Sequence, residues 1–206
     1  WKYAIKSKIN YEYYLWLNDD TFIYKTAFET VINNSMIFNN LAIISGVTCS
    51  PDDNTLITYG GRSHKGEIEP NRLTGEPQSC ASINGNFVLI PNNVYCQVGN
   101  LDYSYVHSLG DHDYGVRANK KGIKTYVSSK FIGVCELNSN VPEWCSNKVP
   151  LIRRFKSLYS PHGHTYPPSF FRYKNRLFGF SNALKFFILL NIRALFPVFW
   201  SVKKNK

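Results

Sequence analysis

Tyr13-Tyr14-Leu15-Trp16-Leu17-Asn18-Asp19-Asp20-Thr21 joins an aromatic and aliphatic run directly to two adjacent carboxylates. The stretch Tyr11–Leu17 has the length, the aromatic enrichment and the polar boundaries of a buried strand. A buried strand that ends in acids can present them at the carboxyl edge of a sheet, where open α/β folds put their ligands. Farther along, Gly110-Asp111-His112-Asp113-Tyr114-Gly115-Val116-Arg117 forms a second acidic cluster just ahead of a helix-like stretch.

Between and after these clusters the chain alternates apolar runs with helical periods. Phe22, Ile23, Ala27, Phe28, Val31 and Ile32 have helical spacing, which predicts a helix over 21–33 with Asp20 or Thr21 as N-cap. Leu41–Val47, Asn54–Tyr59 and Asn84–Pro91 read as strands, the second turning at Gly60-Gly61-Arg62 into a polar loop. Asn93–Val98 is a short helix with Gly99 as C′ residue, and Tyr114–Lys121 a helix ending at Gly122. Thr125–Val127 and Phe131–Val134 are read as two short strands, and Trp1–Lys8 as a weak helix. Strands alternating with helices predict an α/β layer fold with a mostly parallel or mixed sheet.

With 206 residues, 44% hydrophobic and 18% charged, the composition excludes a disordered chain and allows one proper core. The basicity is unevenly placed. Residues 144–206 carry 12 of the 24 Lys and Arg and none of the 14 Asp and Glu, so they hold +12 of a formal +10 and residues 1–143 hold −2. Ala183–Val202 is about as long as a membrane span, but it contains Lys185, Asn191, Arg193 and Pro197. Charges near the centre of a span are costly. The segment reads either as a helix lying in an anionic membrane interface or as a core-packing C-terminal helix with a frayed basic end. Its aromatics fall in apolar runs and are not interleaved with Arg and Lys, so nucleic acid is the weaker expectation. Five cysteines (49, 80, 96, 135, 145) show no zinc spacing and read as buried free thiols of a reducing compartment.

Two separate acidic clusters suggest a division of labour. Mg²⁺ shares its sphere between one or two carboxylates and substrate phosphates, and a second, independent carboxylate can serve as general base. The alternative for the first cluster is simpler: Asp19 and Asp20 cap the helix that begins at Thr21. Asp113 and Arg117 lie one turn apart and predict an ion pair. His107 either lines an acceptor site or is an ordinary satisfied polar residue.

Together, YYLWLNDDT (13–21), YGGR (59–62), NGNFVLIP (84–91), LDYSYVHSLGDHDYGVRANKKG (101–122) and VCELN (134–138) resemble the nucleotide-sugar glycosyltransferases of family 2. The resemblance runs from Tyr13 to about Pro197, and SPHGHTYPPSFFRYKNRLFG (160–179) looks like the C-terminal extension of bacterial members that build surface polysaccharide. It implies a GT-A fold, Rossmann-like with a mixed central sheet, over residues 1–143, followed by a basic, aromatic extension over 144–206. It also implies inverting transfer of a hexosyl or deoxyhexosyl group from a nucleotide-diphosphate sugar to a glycan or lipid-linked acceptor, at the cytoplasmic face of a membrane. By the same resemblance Asp20 ligates Mn²⁺ or Mg²⁺, and Asp19 sits beside it near the metal or the ribose. Asn84, Gly85 and Asn86 lie on a strand flooring the donor pocket, and Asp111 is the base, supported by Asp113 and Arg117.

Three departures accompany it. Leu137 stands where many relatives place a His ligand, and Ala81-Ser82 where many carry an acid. The nucleotide-binding half is expected to precede Trp1 by on the order of 70 residues, so the chain reads as a fragment. The competing expectation is a non-catalytic membrane-surface module or decayed transferase, in which both acidic clusters are structural.

Overall fold

The computed structural model describes residues 6, 9–63, 68–69, 73–137, 141–163 and 165–200. The helix expected at Trp1–Lys8, the motif residue Asn138 and the basic end Lys203–Lys206 lie largely or wholly outside them. The chain divides into two compact units: Trp1–Leu101 with Asp111–Leu137, and Asp102–Gly110 with Asn138–Lys206.

The first unit is mixed α/β. Its strands are β1 (Tyr13–Leu17), β2 (Phe22–Ile23), β3 (Ile43–Cys49), β4 (Ile57–Tyr59), β5 (Gly61–Arg62), β6 (Ile68–Glu69), β7 (Gln78–Cys80), β8 (Phe87–Pro91) and β9 (Thr125–Val134). Its helices are α1 (Ala27–Ile37), α2 (Asn92–Val98) and α3 (Gly110–Lys120). The main sheet runs β1-β8-β3-β9-β2, with β4 added to β3 and β7 to β9, while β5 and β6 pair separately. β3 is parallel to β9, and β8 is antiparallel to both β1 and β3. Hence β1, β3 and β9 run one way and β8 runs against them. The carboxyl ends of three strands and the amino end of β8 therefore share one edge.

Alternation along the strands explains the layers. Val88 and Ile90 of β8, with Tyr14 and Trp16 of β1, face the cluster built on Val94 and Val98 of α2 and Tyr114 and Ala118 of α3. Phe87 and Leu89, with Tyr13 and Leu15, face Ala27 and Val31 of α1 on the other side. Helices on both faces bury both sides of the central strands, so β8 reads as a continuous apolar run and β3 is buried along its length. All seven residues of β3 are buried.

Four expectations are corrected. No helix begins at Thr21: Phe22–Ile23 pairs with Gly133–Val134 of β9, and the helix starts at Ala27. Helical spacing was present, but Gly133 lets β2 approach so closely that a Cβ there would lie 2.3 Å from the Phe22 carbonyl oxygen. The ladder outweighs local propensity. β9 is one strand instead of two, kinked where the Ser128 hydroxyl accepts from Val47 N–H (2.9 Å) and donates to the Lys130 carbonyl (2.8 Å). The third helix begins at Gly110, a turn earlier than the apolar period implies, so Asp111 and Asp113 occupy its first turn. Acids there favour the helix dipole. Finally, the cysteines are all free, but Cys96 is exposed and only Cys49 and Cys135 are buried.

The second unit is helical: α4 (Leu151–Leu158), α5 (Pro167–Phe178) and α6 (Phe180–Leu195), with 3₁₀ turns at Glu143–Cys145 and Pro197–Trp200. Pro167 opens α5, the position where a missing N–H is harmless. Trp144, Leu158, Leu190 and Ala194 form its core. The final helix stops at Leu195, two residues before Pro197, which cannot continue it. It is thus shorter than the 183–202 span read from the sequence, and no helix among the described residues is long and apolar enough to cross a membrane.

Candidate active site

The site lies at the sheet edge defined above and is organised by the Asn84–Asn86 segment. Expected on a strand, these residues instead form a turn before β8. The Asn84 side-chain carbonyl accepts the N–H of Asn86 (3.2 Å), a local bond that competes with ladder pairing. Ser45 of β3 secures the turn from below: its hydroxyl accepts Asn84 N–H (3.3 Å) and donates to the Asn84 carbonyl (3.4 Å).

This turn reaches both acidic clusters. On one side Asn18 donates its N–H to the Asn86 carbonyl and its side-chain amide to Asn86 Oδ1, each at 3.0 Å. That pair of hydrogen bonds holds the first residue after β1, and the Asp19-Asp20 turn that follows is exposed. On the other side Gly85 N–H donates to Asp111 Oδ2 (2.8 Å), while His112 N–H donates to Oδ1 (2.8 Å). Gly85 is needed for closeness: a Cβ there would stand 3.3 Å from Asp111 Oδ2 and 3.3 Å from the Trp16 ring. Residues ninety positions apart in sequence are thereby linked through three consecutive small polar residues.

Asp19 and Asp20 are exposed and are engaged by no hydrogen bond or ion pair among the described residues. With no helix starting at Thr21, the capping role is also unavailable to them. Asp20 does bear on Cys135, at the end of β9. Burial pushes the Cys135 thiol up and the Asp20 charge adds to it. Cys135 in turn accepts the Asn86 amide (3.3 Å). Among the described residues no three His, Cys, Asp or Glu side chains converge into a metal-binding group. Two adjacent, outward carboxylates suit an ion that takes one or two protein oxygens and completes its sphere with water and phosphate, and not a closed structural zinc site.

The remaining predicted residues have other surroundings. Asp113 is fully buried and receives Arg117 Nε at 3.0 Å. The same guanidinium donates to the carbonyls of Val98 (2.9 Å) and Asn100 (2.8 Å), so the pair ties α3 to the end of α2. It thereby holds the helix that carries Asp111. His107 belongs to the second unit, where its exposed ring meets His162 edge-on at 6.0 Å. Gly61 is structural: a Cβ would lie 2.5 Å from Cys80. Leu137 is 44% exposed beyond the end of β9 and offers no metal-ligating atom.

Trp16, Ser45 and Cys135 were not singled out from the sequence. Only Trp16 had a signal, since period-2 reading sets it on the opposite face from Leu15 and one step from the acidic turn. The other two are ordinary strand residues until the Asn84–Asn86 turn is laid across them. Comparison with protein-family models and with curated proteins finds no match for this chain.

Proposed function

We propose that this protein is an inverting, metal-dependent glycosyltransferase of the GT-A type, transferring a hexosyl or deoxyhexosyl group from a nucleotide-diphosphate sugar to a glycan or lipid-linked acceptor. The observation that supports the reading is the Asn84–Asn86 turn, which bonds at one sheet edge to Asn18, the residue before Asp19-Asp20, and to Asp111. A mixed α/β sheet with three strands ending at that edge is compatible with it.

In this reading Asp20, with Asp19 beside it, holds Mn²⁺ or Mg²⁺, which when bound offsets the charge gathering on the diphosphate. Asp111 is the general base. It takes the proton of the acceptor hydroxyl as that oxygen bonds to the anomeric carbon, while the bond to the diphosphate oxygen breaks and the nucleoside diphosphate leaves with the electron pair. Both Asp111 oxygens are already oriented by backbone N–H groups and each retains a lone pair for that proton. In the same reading Asn84, Gly85 and Asn86 floor the donor pocket. The acid-free stretch 144–206 favours work at an anionic membrane surface, on the cytoplasmic face.

The test is thermal protection of the natural polypeptide by a panel of UDP-, GDP- and dTDP-sugars with and without Mn²⁺. Protection of roughly 2–3 kcal/mol is expected at about a hundredfold excess over Kd. It should require Mn²⁺, vanish in Asp20→Asn and survive in Asp111→Asn, while transfer is lost in both. Protection by no donor, or protection indifferent to Asp20, would leave the non-catalytic membrane-surface module as the better account.

A further inference from the structure

The second unit carries a cleft of its own, about 670 Å³, between α5 and α6. Its apolar walls are Phe171, Leu184 and Phe187, and its polar rim is Arg172, Asn175 and Arg176. The volume falls in the range of roughly 300–1,000 Å³ in which pockets enclose one small molecule. Arg172 and Arg176 are one helical turn apart, so their guanidiniums share a face of α5. Arg176 donates to Asp102 Oδ2 at 3.0 Å, and Arg172 stands 4.0 Å from that same oxygen. One carboxylate thus faces two guanidiniums, and the rim keeps a net positive charge. The Arg172 side chain is about half exposed, at 52%.

The apolar wall does not end at the cleft. Phe180, Leu184 and Ile188 recur every fourth residue of α6 and are 65%, 41% and 47% exposed. They make an aliphatic and aromatic strip running out from the cleft along the helix. A ligand that satisfies both parts is an amphiphile with an anionic head at one end and a single hydrocarbon chain at the other. Guanidiniums bind phosphate oxygens bidentately, and the third oxygen and second charge of a phosphate monoester make it a stronger partner for two of them than a carboxylate. A cleft of this volume takes one chain and not a patch of bilayer.

We infer that the α5–α6 cleft binds a lipid phosphate, its phosphate at Arg172 and Arg176 and its chain along Phe171, Phe187, Leu184 and Ile188. Binding there needs neither donor nor metal. Only the role of that lipid, as carrier of the acceptor, rests on the transferase proposal.

Calorimetric titration of the full chain with farnesyl phosphate, farnesol or inorganic phosphate, without nucleotide or metal, tests it. Farnesyl phosphate should bind at least about tenfold more tightly than either fragment, and Arg172→Gln should weaken it by about tenfold or more. Leu184→Asp should also weaken it, with the circular dichroism of both variants unchanged. Equal binding of farnesyl phosphate and farnesol, or of farnesyl phosphate and free phosphate, overturns the assignment. So does unchanged affinity in both variants, or binding of phosphatidylglycerol vesicles that depends on Arg172 when farnesyl phosphate does not bind. Failure of this titration leaves Mn²⁺-dependent donor protection untouched, and the reverse also holds.

Discussion

Gly85 touches both the acid and the aromatic ring of the candidate site, and a methyl group at that position is a direct probe. With 3.3 Å to Asp111 Oδ2 and to Trp16, the added Cβ demands a shift of a few tenths of an ångström from the carboxylate. Gly85→Ala is expected to slow transfer by about tenfold, since catalysis is sensitive to small misplacement. Thermal stability should change by less than about 1 kcal/mol, because a turn and not the core is disturbed. Equal losses in turnover and stability would make Gly85 a folding residue only.

Asp102 offers a second residue-scale test, in the other unit. Burial opposes its ionisation, but hydrogen bonds from the Ser104 hydroxyl and N–H and the ion pair with Arg176 outweigh it, holding the carboxyl at about 2 against an ordinary 3.8. A carboxyl depressed in the folded state adds stability above about pH 4 that disappears as pH falls through about 2. Between those limits the wild type should lose on the order of 1 kcal/mol more than Asp102→Asn, solvent screening removing part of the full effect, read from denaturant melts at each pH. Parallel curves for the two proteins would remove the assignment.

At the level of elements, the short pairing of β2 with β9 governs where the Asp19-Asp20 turn ends up. Phe22 and Ile23 are exposed, so little burial holds them; their ladder bonds to Val134 and Gly133 do. Gly133→Ala would drive a Cβ into the Phe22 carbonyl at 2.3 Å and force β2 away. The expected cost is roughly 1–3 kcal/mol of stability, accompanied by loss of Mn²⁺-dependent donor protection. A variant that melts lower yet keeps full protection would show the acidic turn to be independent of β2. The buried Asp113–Arg117 pair anchors α3 in a comparable way, through two carbonyls at the end of α2.

For the whole molecule the controlling feature is charge. Residues 144–206 hold 12 cations and no acid, whereas residues 1–143 are close to neutral. Exposed Ile152, Phe180 and Val198 add apolar surface among those cations. Association with phosphatidylglycerol vesicles is therefore expected at about 0.05 M salt and should be largely lost near 0.5 M, where screening shortens the reach of each charge. Neutral phosphatidylcholine vesicles should sediment little of the protein. Salt-independent binding would point to insertion of apolar side chains as the main contribution instead.

Much of this architecture was legible in the order of residues alone. The aromatic enrichment and polar boundaries of Tyr13–Leu17, the apolar runs that begin at Leu41 and Phe87, and Gly99 after α2 each act within a few positions, and each produced the element it indicated. The charge division is likewise a property of composition. Tertiary structure alone decided the rest, because the deciding bonds join distant residues. Gly133 turns Phe22–Ile23 into a strand against its helical spacing. Ser128 and Val47 keep β9 a single kinked strand. Asn18 and Asp111 are tied to one turn only because Asn84–Asn86 leaves the ladder and bonds to both. No local pattern encodes a turn whose partners lie some seventy residues behind it and twenty-five ahead.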